Sequence, residues 1–174
     1  MPRTTFAGHA LHPQFVAGPL SLFPMSLLFD FLYAVTRDDA HLRAAFTTLA
    51  AGYVNAIAAA AAGFGDYQAI REPKSKRTAT THLALNIGVL ALTGGSLLLR
   101  LRRRSDSLAI ALNAAGNSLM VVSAWYGGEL VYEHGLRVSG RQQLTADGEI
   151  QPPRDDLISG LIRRAGSLAE RIYR

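Results

Sequence analysis

Four uninterrupted apolar stretches, each close to the length of a bilayer span, constrain this chain more than any other feature. They run from about Phe15 to Val35, Ala44 to Gly65, Thr81 to Leu99 and Leu108 to Val131. A hydrocarbon core takes about 20 apolar residues per helix, and within lipid only helices and closed barrels satisfy every backbone polar group. The fold expected is an all-α integral membrane protein. Its connections are short, which makes consecutive helices antiparallel neighbours in an up-down four-helix bundle.

The mean hydropathy of the whole chain, +0.14, hides this because it averages two regions. Residues up to about Tyr132 hold nearly all the apolar runs, and the remainder is polar and charged. Three segments are expected: a transmembrane domain over 1–138, a polar linker over 139–153, and a basic amphipathic helix over 154–174. The linker holds Gly140, Asp147-Gly148 and Pro152-Pro153. In the last segment Leu157, Ile158, Leu161, Ile162, Ala165, Leu168 and Ile172 recur at helical spacing, a pattern suited to a membrane surface or a partner protein.

A net charge of +5 would suit a nucleic-acid binder in a soluble protein. Here the basic residues stand at the ends of apolar stretches, in Arg71 to Arg77 and Arg100 to Arg104. That placement fits anionic lipid headgroups, so the expected partners are the bilayer and other membrane subunits, with no nucleic acid. The same placement gives almost no bias in orientation. The absence of cysteine excludes disulfides, thiolate metal sites and iron–sulfur clusters held by this chain. The first apolar stretch begins too far in, and holds Pro19, Pro24 and Asp30, to be a cleavable signal. Pro19 and Pro24 should also kink that helix, while Pro73 and the run Lys74 to Arg77 read as a loop.

The topology makes one prediction about chemistry. The starts of helices 1 and 3 and the ends of helices 2 and 4 share one membrane face, which collects His9, His12, Asp66, His82, Glu129, Glu133 and His134. Such groups can simply solvate the mouth of a bundle. They could also hold haem b, a metal ion or a quinone headgroup, with His82 and either His12 or His134 as ligands and Glu129 fixing a ligand imidazole. No His-x-x-Glu-His or Glu-x-x-His ligand pair appears, no catalytic motif of a soluble enzyme is present, and no catalytic residue is assigned. Within the spans, Asp30 needs a partner, expected to be Arg43 or His41. Asn55, Asn86, Asn113 and Asn117 are expected to bond between helices.

These motifs resemble a bacterial membrane family known as domain-of-unknown-function family 2231. The resemblance rests on Gly8-His9-Ala10-Leu11-His12-Pro13, Phe29-Asp30, Gly63-Phe64-Gly65-Asp66, His82 with Asn86, and Gly127-Gly128-Glu129-Leu130-Val131-Tyr132-Glu133-His134-Gly135, in that order. It implies a four-helix domain of the bacterial inner membrane. Some members are joined to Rieske iron–sulfur domains, which implies electron transfer near quinones. Two functions follow. One is an accessory subunit of a respiratory or photosynthetic membrane complex; the alternative is a haem b- or quinone-binding electron-transfer module with a separate redox partner. The tail and the small-residue helix faces favour the first.

Overall fold

The computed structural model describes residues 5–6, 9–102 and 107–136. Four long helices carry nearly all of them: α1 (Leu11–Thr36), α2 (Asp39–Ala69), α3 (Pro73–Arg102) and α4 (Ser107–Tyr132). Each is long and apolar enough to cross a membrane. A two-residue antiparallel ladder, β1 (Thr5–Phe6) with β2 (His9–Ala10), leads into α1. The expected linker and amphipathic helix, 139–174, lie outside the described residues.

Local chemistry sets the connections. Arg37 ends α1 in the left-handed conformation at φ 57°, and its N–H bonds Tyr33 O. Asp38 then caps α2 by accepting from the Ala40 N–H at 2.8 Å. Between α2 and α3, Glu72 accepts from the N–H groups of Lys74 at 2.9 Å and Ser75 at 2.5 Å, and Pro73 occupies the first helical position. The sequence from Pro73 to Arg77 is therefore helix and not loop, because the Glu-Pro cap starts α3 well before its apolar stretch. Pro19 and Pro24 both lie inside one continuous α1.

Burial recurs at alternating steps of four and three residues. The inward stripe of α1 is Pro19, Phe23, Ser26 and Asp30; that of α3 includes Val89, Thr93, Ser96 and Arg100. On α2 it is Ala45, Leu49, Gly52, Ala56 and Ala59, and on α4 Ala109, Asn113, Gly116, Met120 and Ser123. An average period near 3.5 keeps one seam facing its neighbours along the whole length of a left-handed bundle. The distribution of polarity is that of a protein in lipid. Ser26, Thr93, Ser96 and Asn113 are fully buried, whereas Val35, Val54, Val121 and Trp125 are each about two-thirds exposed or more.

The two halves of the bundle repeat one another. Adding 70 to the α1 stripe gives the α3 stripe, and adding 64 to the α2 stripe gives that of α4 (19 to 89, 45 to 109). Contacts follow the same shift. Ser26 Oγ donates to Ala45 O at 2.9 Å, and Ser96 Oγ to Ala109 O at 2.6 Å. Gly52 meets Phe23 where Gly116 meets Thr93, and Gly18 meets Asn55 where Gly88 meets Leu119. Within each hairpin these small residues let the two helices approach closely. Because α1 and α3 run the same way, the hairpins are related by an approximate twofold rotation about an axis along the bundle. Only residues near such an axis can touch their own counterparts. Among the described residues, His12 with His82 at one end and Asp30 with Arg100 at the other are such pairs.

Candidate functional site: a histidine pair on the repeat axis

His12 stands in the first turn of α1. Its Nδ1 lies 2.7 Å from Ala59 O on α2, and its ring fills the space where a side chain at Gly63 would be. His82 repeats the arrangement in the second hairpin: Nδ1 lies 2.8 Å from Ser123 O on α4, and the ring rests against Gly127. His82, expected at the start of helix 3, lies in the third turn of α3 because that helix begins at Pro73. The two rings meet edge to face with centroids 6.2 Å apart.

The hydrogen bonds assign the tautomer of each ring in its neutral form. A backbone carbonyl can only accept, so in each neutral imidazole the proton sits on Nδ1 and Nε2 keeps a lone pair. Asn86 Nδ2 stands 3.1 Å from His82 Nε2 and also reaches His82 O and Ser123 Oγ, each at 2.8 Å. An amide nitrogen has two hydrogens for these three acceptors, so the claim on Nε2 is shared. Holding Nδ1–H on a backbone carbonyl is the usual support of an imidazole that ligates through Nε2.

His134 and Glu129 form a separate, outer cluster. Thr78 on α3, one turn before His82, stands 3.2 Å from Glu129 Oε1 and 3.3 Å from His134 Nε2, which is itself 3.7 Å from that carboxylate oxygen. Glu129 thus bears on His134 and Thr78, and among the described residues no hydrogen bond or ion pair joins it to the His12–His82 pair. Asp66 is half-buried at the same end of α2 and engaged in a contact of its own. His41, at the far end, is bonded to Thr36 Oγ1 at 2.8 Å and stacked on Phe29.

The far end holds the buried ion pair. Arg100 Nη1 and Nη2 donate to Asp30 Oδ1 and Oδ2 at 2.8 and 2.6 Å, a two-pronged contact with both side chains at least 95% buried. The expectation of Arg43 or His41 as the partner of Asp30 is corrected. Arg100 reads in sequence as the first of a run of charges that stops helix 3. In the structure α3 continues to Arg102, and Arg100 falls on its inward stripe, while Arg43 is exposed. Between the two ends, Asn113 Nδ2 donates to Ser26 Oγ at 3.1 Å and Asn117 Nδ2 reaches Asn113 Oδ1 at 3.1 Å. Asn117 Oδ1 is buried without a protein partner. Asn113 does join two helices; Asn55 instead bonds Ala51 O on its own helix.

The family model described as "Predicted membrane protein (DUF2231)" matches residues 8–140. The chain belongs to this family. Its match spans all four helices and both polar ends, so the DUF2231 domain is the bundle itself. Comparison with the curated proteins and with the solved structures gave no match.

Hydropathy alone does not reveal the repeat, although this DUF2231 chain carries a signal for it. His-x5-Gly-x7-Ser occurs at 12–26 and again at 82–96, and Gly-x10-Gly at 52–63 and 116–127. Self-similarity at a fixed offset is what pairs His12 with His82 in the sequence itself.

Proposed function

We propose that this protein is an integral subunit of a bacterial energy-transducing membrane complex that carries a haem b between His12 and His82 and works with a separate redox partner. The observation that carries this reading is the shared tautomer of the two rings, each with Nδ1–H on a backbone carbonyl. It supports a metal over a quinone. A quinone carbonyl needs a donor, and in this tautomer Nε2 can only accept. It also supports haem over a bare ion. Among the described residues no three His, Cys, Asp or Glu side chains are grouped to hold a metal, whereas haem brings four nitrogens and asks the protein for two. His12 and His82, whose ring centroids stand 6.2 Å apart, are the residues that would hold the haem, with Asn86 giving up its contact to His82 Nε2. When bound, haem would supply one-electron transfer, and the two imidazoles would set its potential.

A second reading is a subunit with a structural role alone. It is favoured by the close packing of both rings on Gly63 and Gly127, where they act as clamps within each hairpin. Absorbance separates the two. Protein purified from cells supplied with haem should show a Soret band that shifts on reduction with dithionite. A colourless preparation would sink the haem reading and leave the structural one.

A further inference from the structure

At the end of the bundle opposite the histidines, a cavity of about 340 Å3 is lined by Asp39, Leu42, Arg43, Phe46, Thr47 and Arg100. We propose that it binds a phosphate group, carried by an anionic phospholipid headgroup or supplied as the free ion. The donors are in place. Arg100 has five N–H groups, of which Nε faces Ser96 Oγ at 3.3 Å and one on each Nη is taken by Asp30. One hydrogen on each Nη remains, and the Arg100 side chain, about 95% buried, lines the cavity. Planar guanidinium forks suit phosphate oxygens, and in a medium of low dielectric these bonds are strong.

Charge and shape agree with this. Two guanidiniums and the Asp39 carboxylate line the cavity. Asp39 has a contact of its own and the charge of Arg100 is already met by Asp30, so the charge that meets a phosphate is chiefly that of Arg43. Arg43 is exposed on the first turns of α2, and Arg37 and Arg102 are exposed at the same end of the bundle. Leu42 and Phe46 supply an apolar wall beside these charges, as an acyl chain below a headgroup requires. Basic pockets between helices at a membrane border are the common form of site for such lipids.

The test is the thermal stability of the full chain in one uncharged detergent, with phosphatidylglycerol, phosphatidylcholine or inorganic phosphate added. Phosphatidylglycerol should raise the midpoint and phosphatidylcholine should not. Arg43→Gln, an exposed substitution that leaves the Asp30–Arg100 pair intact, should remove more than half of the gain. Arg77→Gln at the opposite end should keep it. If inorganic phosphate gives the same Arg43-dependent gain, the ion is the source; if only the lipid does, the headgroup is. Equal responses to the two lipids, or a gain untouched by Arg43→Gln, would overturn the proposal.

Discussion

Single positions show how little slack this bundle has. A methyl group on Gly63 would come 2.8 Å from His12 Nδ1, so Gly63→Ala must push the ring off Ala59 O. A cost of about 1–3 kcal/mol is expected from such overpacking. Gly128 is the control, since its nearest neighbour would be the Tyr132 ring at 3.9 Å. Gly128→Ala should gain up to about 1 kcal/mol from helix propensity alone. Thermal denaturation of both variants in one detergent decides this, and similar costs would mean that the ring is not held against Gly63. At the α2–α3 connection, the N–H groups of Ser75 and Lys74 hold the Glu72 carboxyl down at about 2, against an ordinary 4.5. A lowered carboxyl contributes stability that is full above about pH 4.5 and is lost as pH falls toward 2. Wild type should therefore exceed Glu72→Gln in midpoint at neutral pH, with the gap closing in acid. A gap that does not change with pH would remove the carboxylate cap from the account.

At the scale of elements, the two hairpins are held across their axis by an unlike pair where a strict repeat would place like residues. Two aspartates or two arginines facing one another there would repel, so the Asp30–Arg100 combination matches the first hairpin to the second. Removing one partner leaves an unpaired charge in the core, and Asp30→Leu or Arg100→Leu should each cost about 3–5 kcal/mol. The exchanged double variant Asp30→Arg, Arg100→Asp should recover more than half of that loss, while Arg43→Leu alone should cost under about 1 kcal/mol. No recovery in the exchanged variant would show that the pair depends on more than complementary charge. This pair also shows what the sequence can and cannot tell. Hydropathy locates four helices correctly because apolar length in lipid is a one-dimensional property. The α2 and α3 boundaries lie several residues further out because Asp38 and Glu72 cap the helices beyond the apolar stretches. Sequence misplaces the partner of Asp30 because a charge after an apolar run looks like a membrane border, and only helical phase from Val89 through Ser96 turns Arg100 inward. The shared end of His12 and His82 follows from topology, yet their contact needs the repeat.

The four-helix bundle is an inside-out arrangement in the sense that lipid imposes: apolar perimeter, polar axis, and a repeat that brings counterpart residues together at both ends. Such a perimeter should resist alkaline carbonate and high salt, so that the protein leaves the membrane only with detergent or lipid; recovery in a carbonate supernatant would contradict the four-span bundle. The proposed haem site lies on the axis, and the repeat gives that proposal a distinct signature, because the two histidines should matter equally. The direct measurement is the haem content per protein, by absorbance and pyridine haemochrome, of wild type, His12→Ala, His82→Ala, His134→Ala and His41→Ala. The account predicts a Soret band in wild type that is lost or changed in ligation by His12→Ala and by His82→Ala alike. His134→Ala, in the outer cluster, and His41→Ala, at the far end, should keep it. Haem retained unchanged after loss of either His12 or His82, or bound through His134 instead, would contradict the placement of the site on the axis.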